Sequence, residues 1–234
     1  MRQLEGAVQS VRVPLVSVYW TRQAFVHWPY PPAVIQSLLP PHLEADVFEG
    51  QGWVSMTPFL MSRPHVLGVP MPRGTFPETS LRTYVRHGGG PSGLWFLALD
   101  VTHPAMLTAR LLGIPYSLGH LVVEQHGGTC HYAGRRGRRG PRYDLEVRTG
   151  QRIRAPRPLD SWLTDRFHAY SMSAGALWRT PVVHEPWQLS TGAVVRLEQS
   201  LLPAAGLPEP ADSPLVHISP GVGPVRLGFP SHMA

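Results

Sequence analysis

The sequence predicts a mainly β fold with a few short helices, organised as a single domain over residues 1–234. Three observations carry this. Twenty-six prolines and 23 glycines are scattered without period, and dense turn punctuation of that kind separates many short strands. The punctuation is interleaved with 43% apolar residues, which supplies a core and argues against a disordered or collagen-like chain. The length, 234 residues with no internal repeat and no clear linker, suits one barrel or sandwich.

The elements follow in order. Val11–Tyr19 reads as a first strand or extended arm, and Ala24–Trp28 as a second strand that stops at Pro29. Pro31-Pro32 opens a short helix over Ala33–Leu39, because a first turn has no use for the missing N–H, and Pro40-Pro41 closes it. Leu43–Phe48 and Trp53–Met61 flank Glu49-Gly50-Gln51-Gly52, a hairpin signal. Arg63–Pro77 reads as a proline-rich excursion too long for a tight turn.

Thr79–Arg86 and Leu94–Val101 form the next pair of strands, joined by the glycine-rich segment His87–Gly93. Pro104–Leu112 is the best helix, with Asp100, Thr102 or His103 as its cap and Gly113 where a C-terminal glycine belongs. Tyr116–Gln125 and Thr129–Arg135 make a hairpin across Gly127-Gly128, and Tyr143–Val147 adds a strand. Pro158–Asp165 is helical, and His168–Leu227 continues as short strands broken by Gly and Pro.

Composition removes whole classes of chemistry. All 21 basic residues are arginine. No side-chain amine can form a Schiff base, hold pyridoxal phosphate or grip a nucleotide phosphate. The formal charge of +6 bears on solubility and steering, not on fold. The lone Cys130 allows no internal disulfide, fits a reducing cytoplasm and reads as a small packed hydrophobe. Met1–Tyr30 lacks the pattern of a signal peptide, and no apolar run reaches about 18 residues. The expectation is a cytoplasmic protein without a membrane partner.

On the strand Thr79–Arg86, alternate residues share a face. Glu78, Ser80, Arg82, Tyr84 and Arg86 therefore point one way, and Thr79, Leu81, Thr83 and Val85 the other. In an open sheet the first face is a solvated surface. In a barrel it lines a cavity, where Arg82 would grip a carboxylate and Glu78 would serve as acid or base. Spacing alone leaves both readings open.

Other clusters carry less. Arg135, Arg136, Arg138 and Arg139 sit between Tyr132 and Tyr143, a pattern able to meet phosphates and bases. No nucleic-acid-binding signature accompanies it, and a solvated hairpin tip is the simpler reading. His126, Cys130 and His131 lack a second ligand pair, so no metal is expected. His-Glu-x-x-His and Gly-x-Ser-x-Gly are absent. His184-Glu185-Pro186-Trp187 reads as packing, and Gly88, Gly89 and Gly90 open no helix that could cradle a phosphate.

An ordered set of short motifs resembles the DUF2071, or YqjF-like, family of the acetoacetate decarboxylase-like superfamily. The set begins with His27-Trp28-Pro29 and Pro31-Pro32, then Leu39-Pro40-Pro41-His42-Leu43 running to Gly52-Trp53-Val54, and Pro58-Phe59. It continues through Phe76-Pro77-Glu78, Leu81-Arg82-Thr83-Tyr84-Val85, Trp95 to Asp100, Ala109-Arg110, Ile114-Pro115-Tyr116 and Arg135-Arg136. Trp162 to Phe167, His184 to Trp187 and a weaker echo at His217 to Gly221 complete it. The resemblance spans about residues 20 to 229 and is specific only as a set.

The resemblance implies a cone-shaped, mostly antiparallel β-barrel with a few short helices, enclosing a pocket for a small organic acid or a related carbonyl or phenolic compound. The related decarboxylases form an imine through a lysine beside a second cation. Here Tyr116 stands at the lysine position after Gly113-Ile114-Pro115, and Ser117 at its neighbour. Family-type Schiff-base decarboxylation is therefore not expected. Glu78 and Arg82 fall in the segment that supplies a pocket glutamate, which favours the cavity reading of that face. Arg110 is a second cation placed to reach the pocket or to serve as a helix-end charge, and Tyr84 and Tyr116 offer phenolic hydrogen bonds or simply fill space.

The expected roles are Glu78 and Tyr116 in catalysis and Arg82, Tyr84 and Arg110 in binding a small anionic or oxygenated ligand, with no cofactor. Two functions stay open: an enzyme with non-covalent acid–base chemistry, and a binding or sensing module that kept only the barrel. Assembly into a homo-oligomer also stays open.

Overall fold

The computed structural model describes residues 11–233; the first ten residues, part of the segment read above for a leader, and residue 234 lie outside the description. Strand β1 spans Val16–Tyr30 as one 15-residue strand, not the two strands expected. Arg22 takes a positive φ of 50°, and register shifts beside it let the strand bend without ending. Pro29 sits next to the strand's last residue, where its missing N–H costs little.

Helix α1 covers Pro32–Gln36. β2, Glu44–Ala45, pairs with β5 (Thr75–Arg86) and not with β3 (Gly52–Val66), so the expected first hairpin does not form. Only a Phe48↔Gln51 bridge closes that turn. The proline-rich excursion is also corrected. β3 runs on to Val66, turns at Leu67-Gly68 into the edge strand β4 (Val69–Pro70), and β5 begins at Thr75. An edge strand tolerates Pro70 because that side of the ladder needs no donor.

β6 is Gly93–Val101. The segment Pro104–Leu112 is a 3₁₀ helix in place of the expected α-helix; none of its residues is buried, so packing does not impose a 3.6-residue period. His103 caps it by accepting from the Ala105 N–H, and Gly113 closes it in the left-handed region at φ 76°. There follow β7 (Tyr116–His126), β8 (Thr129–Arg136), β9 (Arg142–Arg152) and α2 (Pro158–Thr164). The chain continues as β10 (His168–Ser173), β11 (Ala176–Val183), β12 (Ser190–Gln199), α3 (Leu201–Ala204), β13 (Leu215–Leu227) and β14 (Ser231–His232).

The strands form one large mixed sheet that closes on itself. A circuit of pairings runs β6–β7–β8–β9–β12–β13–β1–β3–β5 and returns to β6. β6 meets β7 and β10 in parallel, and the other pairings are antiparallel. A second circuit leaves β6 through β10 and β11 and rejoins at β13. The expected barrel is thus realised as a ring-like mixed sheet.

β5 is the wall that matters. It is buried on both faces from Glu78 to Val85. Leu81 enters the larger core with Val26, Met56, Leu121, Tyr132, Leu145 and Val147. Alternation on β9 drives Tyr143, Leu145 and Val147 into the same core, and truncating one such leucine to alanine costs about 2–5 kcal/mol. The opposite face of β5 looks into a cavity.

Candidate functional site

Glu78, Ser80 and Arg82, spaced by two along β5, line a cavity of about 170 Å³. The period-2 alternation that put them on one face of the sequence puts them on one wall of the structure. Tyr116 enters at the start of β7, directly after the Gly113 turn, and Thr164 and Arg166 enter from the end of α2. Trp20, Phe59, Met61, Phe96 and Trp187 make the rest of the wall largely apolar.

The Tyr116 hydroxyl donates to Glu78 Oε2 at 3.0 Å, and both residues are buried. Burial pushes the Glu78 carboxyl up to about 8 from an ordinary 4.5, with the Tyr116 hydrogen bond pulling the other way. The carboxyl is therefore mostly neutral at pH 7. Burial first, then the neighbouring carboxyl, pushes the Tyr116 phenol well above its ordinary range. The pair is one proton donor backed by another.

Arg82 is buried with its guanidinium carbon 5.5 Å from the Phe25 ring centroid, and its Nε has no hydrogen-bond partner. No carboxylate among the described residues pairs with it. Burial lowers its pKa, yet a guanidinium stays charged at neutral pH. A buried cation without an anion is costly, and a ligand carboxylate is the natural complement.

Arg166 is the site residue that sequence reasoning missed, although it stands inside the Trp162-to-Phe167 motif. Its Nη1 donates to Asp46 Oδ2 at 2.9 Å, while Nε and Nη2 find no partner. The guanidinium carbon lies 4.1 Å from the Trp162 ring centroid and 4.8 Å from that of Tyr84. Asp46 is 120 residues away in the chain, so nothing local marked the pair. His184 also lines the cavity, with burial lowering its pKa. It is held by the Glu185 carbonyl and packed among Trp20, Phe167 and Trp187.

Two expected ligand contacts are placed elsewhere. Tyr84 is fully buried outside the cavity wall, hydrogen-bonded to Ser55 and to the Leu163 carbonyl. Tyr84 keeps the β5 alternation, but α2 covers it: its ring packs 4.7 Å from that of Trp162 and its hydroxyl is taken by the Leu163 carbonyl. Arg110 is exposed, and its Nε donates to the Tyr116 carbonyl at 2.5 Å. It supports the Tyr116 turn from outside because the 3₁₀ helix buries none of its residues.

The remaining clusters lie away from the cavity lining. Arg136 grips Asp100 through Nε and Nη2 at 2.6 and 3.3 Å, so one member of the arginine cluster is paired. Cys130 packs in the larger core. No group of three or more His, Cys, Asp or Glu side chains able to hold a metal occurs among the described residues. No helix among them is long and apolar enough to cross a membrane.

The ring-like sheet and its cavity define an acetoacetate decarboxylase-like fold. An enduracididine biosynthesis enzyme, MppR, complexed with pyruvate superposes with a TM-score of 0.73 at 15% identity, covering 97% of this chain and 93% of that one. Acetoacetate decarboxylase from Legionella pneumophila subsp. pneumophila str. Philadelphia 1 superposes with a TM-score of 0.65 at 16% identity, over 100% and 98%. Within that fold the chain belongs to the DUF2071 family, described as an uncharacterized conserved protein, whose profile matches residues 17–223. It is 32% identical over 210 residues to the uncharacterized protein YqjF of Bacillus subtilis (strain 168), covering 85% of this chain and 84% of that protein.

Proposed function

We propose that the cavity binds a small organic acid through Arg82 and moves a proton on it by non-covalent acid–base chemistry. The observation that carries this is the convergence of an unpaired buried cation with the Glu78–Tyr116 pair on one largely apolar cavity. Arg82 would fix the ligand carboxylate. Neutral Glu78 would give its proton to an adjacent carbonyl oxygen as a proton on the neighbouring carbon leaves to water, so that the ligand passes to its enol, and Tyr116 would stabilise the carboxylate left behind. Exclusion of water by the apolar wall strengthens each of these interactions.

An imine through a lysine is excluded, since the chain has none. That same absence favours a second reading, in which the cavity binds its ligand without converting it. One experiment addresses both. Pyruvate, the ligand seen in MppR, and other small oxo and hydroxy acids are tested for thermal stabilisation of wild type and Arg82→Ala, with mass analysis after incubation. The proposal expects stabilisation by at least one acid, lost in the variant, with about 2.7 kcal/mol expected at a hundredfold excess over Kd. A ligand recovered chemically altered supports the enzyme, and one recovered intact supports the binding module. Stabilisation that survives in Arg82→Ala would overturn the anchor.

A further inference from the structure

A buried polar chain runs from the surface to the back of the cavity wall and belongs to no part of the reading above. Exposed Arg157 holds Asp160 at the start of α2. Asp160 Oδ1 contacts His217 Nε2 at 3.1 Å, and His217 Nδ1 contacts His27 Nε2 at 3.2 Å. His27 Nδ1 contacts Ser55 Oγ at 2.6 Å, Ser55 Oγ contacts the Tyr84 hydroxyl at 2.6 Å, and Tyr84 donates to the Leu163 carbonyl at 2.9 Å. A further Tyr84–His27 approach of 3.5 Å is too long to count as a bond. His27, His217, Ser55, Tyr84 and Asp160 are all buried.

Each link needs one proton. Asp160 to Leu163 makes five links. Two neutral imidazoles, one serine and one tyrosine supply four protons. The ends fix the direction, because the Asp160 carboxylate and the Leu163 carbonyl only accept. With neutral histidines the chain must break at one link. A fifth proton lets every link form in one sense: His217 donates at both nitrogens, His27 donates from Nδ1 to Ser55, Ser55 donates to Tyr84, and Tyr84 donates to Leu163.

We propose that His217 is an imidazolium paired with Asp160, and that His217, His27 and Ser55 act as positioning residues that aim the Tyr84 hydroxyl at the Leu163 carbonyl. That carbonyl lies one residue before Thr164 and three before Arg166, both on the cavity wall. Trp187 Nε1 holds the next carbonyl, that of Thr164, at 3.1 Å. The end of α2 is thus pinned to β5 and to Trp187 by consecutive peptide oxygens.

The charged groups facing the imidazoles are Asp160 and Arg157 from α2 and Arg82 from β5, with neutral Ser55 from β3 and Tyr84 from β5. Burial and Arg82 drive His27 toward neutrality, which agrees with its assignment as the neutral member. At His217 burial lowers the pKa from its ordinary 6.5 and Arg157 acts the same way, while the Asp160 carboxylate offsets them only in part. Leaving a buried donor or acceptor unmatched is itself costly, and this cost, added to the attraction of Asp160, favours the charged form.

The test is ¹⁵N–¹H correlation spectroscopy of the imidazole rings at pH 7, assigned through backbone resonances. The expected wild-type spectrum shows both His217 nitrogens protonated and His27 protonated at Nδ1 only. Tyr84→Phe leaves three links and three protons, and Ser55→Ala does the same. In either variant His217 should become neutral with its proton on Nε2, and His27 should switch its proton to Nε2. A neutral His217 in the wild type, or a charge that persists in whichever variants fold, would overturn the proposal. This outcome is independent of whether a ligand is ever turned over.

Discussion

Replacing Glu78 by glutamine tests the electrostatics of the cavity without a ligand. The amide keeps the size of the side chain and can still accept from Tyr116, but it cannot ionise. In the wild type the native carboxyl stays protonated up to about pH 8, whereas an unfolded glutamate ionises near 4.5. Between these values the unfolded state binds one proton fewer than the native state, so stability falls as pH rises. The slope is about 1.4 kcal/mol per pH unit, and over the interval of about 3.5 units the loss reaches about 5 kcal/mol. That is a large share of the roughly 5–15 kcal/mol that holds a domain folded.

Urea denaturation from pH 5 to 9 on both proteins measures it, because every other titrating group is common to the two and cancels in the difference. The stability of wild type relative to Glu78→Gln should decline steadily from pH 5, then level off above about pH 8. A flat difference across that range would mean that Glu78 is ionised in the folded protein. The general-acid role would then fail, and with it the reason for placing a carboxyl in an apolar wall.

Two further outcomes follow from the geometry. Asp46 bonds Arg86 at 2.7 Å and Arg166 at 2.9 Å; Asp46→Ala strands a buried guanidinium and should cost about 3–5 kcal/mol in chemical denaturation. Gly113→Ala should lower stability more than Gly127→Ala. Both glycines have positive φ, which costs alanine about 1–2 kcal/mol, but only at Gly113 would the added carbon fall within 2.1 Å of the Met172 carbonyl oxygen. Equal losses in the two variants would show that the Tyr116 turn yields without strain.

The sequence alone determined the kinds of residue that can act here and much of the local structure. A chain without lysine can form no side-chain imine, and this follows from composition before any fold exists. Proline marked the starts of α1, α2 and the 3₁₀ helix, and Gly113 the stop of the last, because their effects on φ and on backbone donors are local; α1 ends at Gln36, short of the Leu39 expected before Pro40-Pro41. Alternation along β5 grouped Glu78, Ser80 and Arg82 on one face for the same local reason.

What alternation could not tell was whether that face met water or a cavity, since burial is decided by what closes over a strand. Sheet closure through the β5–β6 and β11–β13 pairings supplied the cover. Long-range packing also set the exceptions. Cover by Trp162 and Leu163 of α2 took Tyr84 out of the cavity wall, an unburied helix left Arg110 outside, and pairing with the edge strand β4 extended β3 where a loop was expected. Arg166 and the His27–His217–Asp160 chain were illegible because their partners lie far apart in sequence, and only the folded ring brings β1, β3, β5, α2 and β13 within hydrogen-bonding distance.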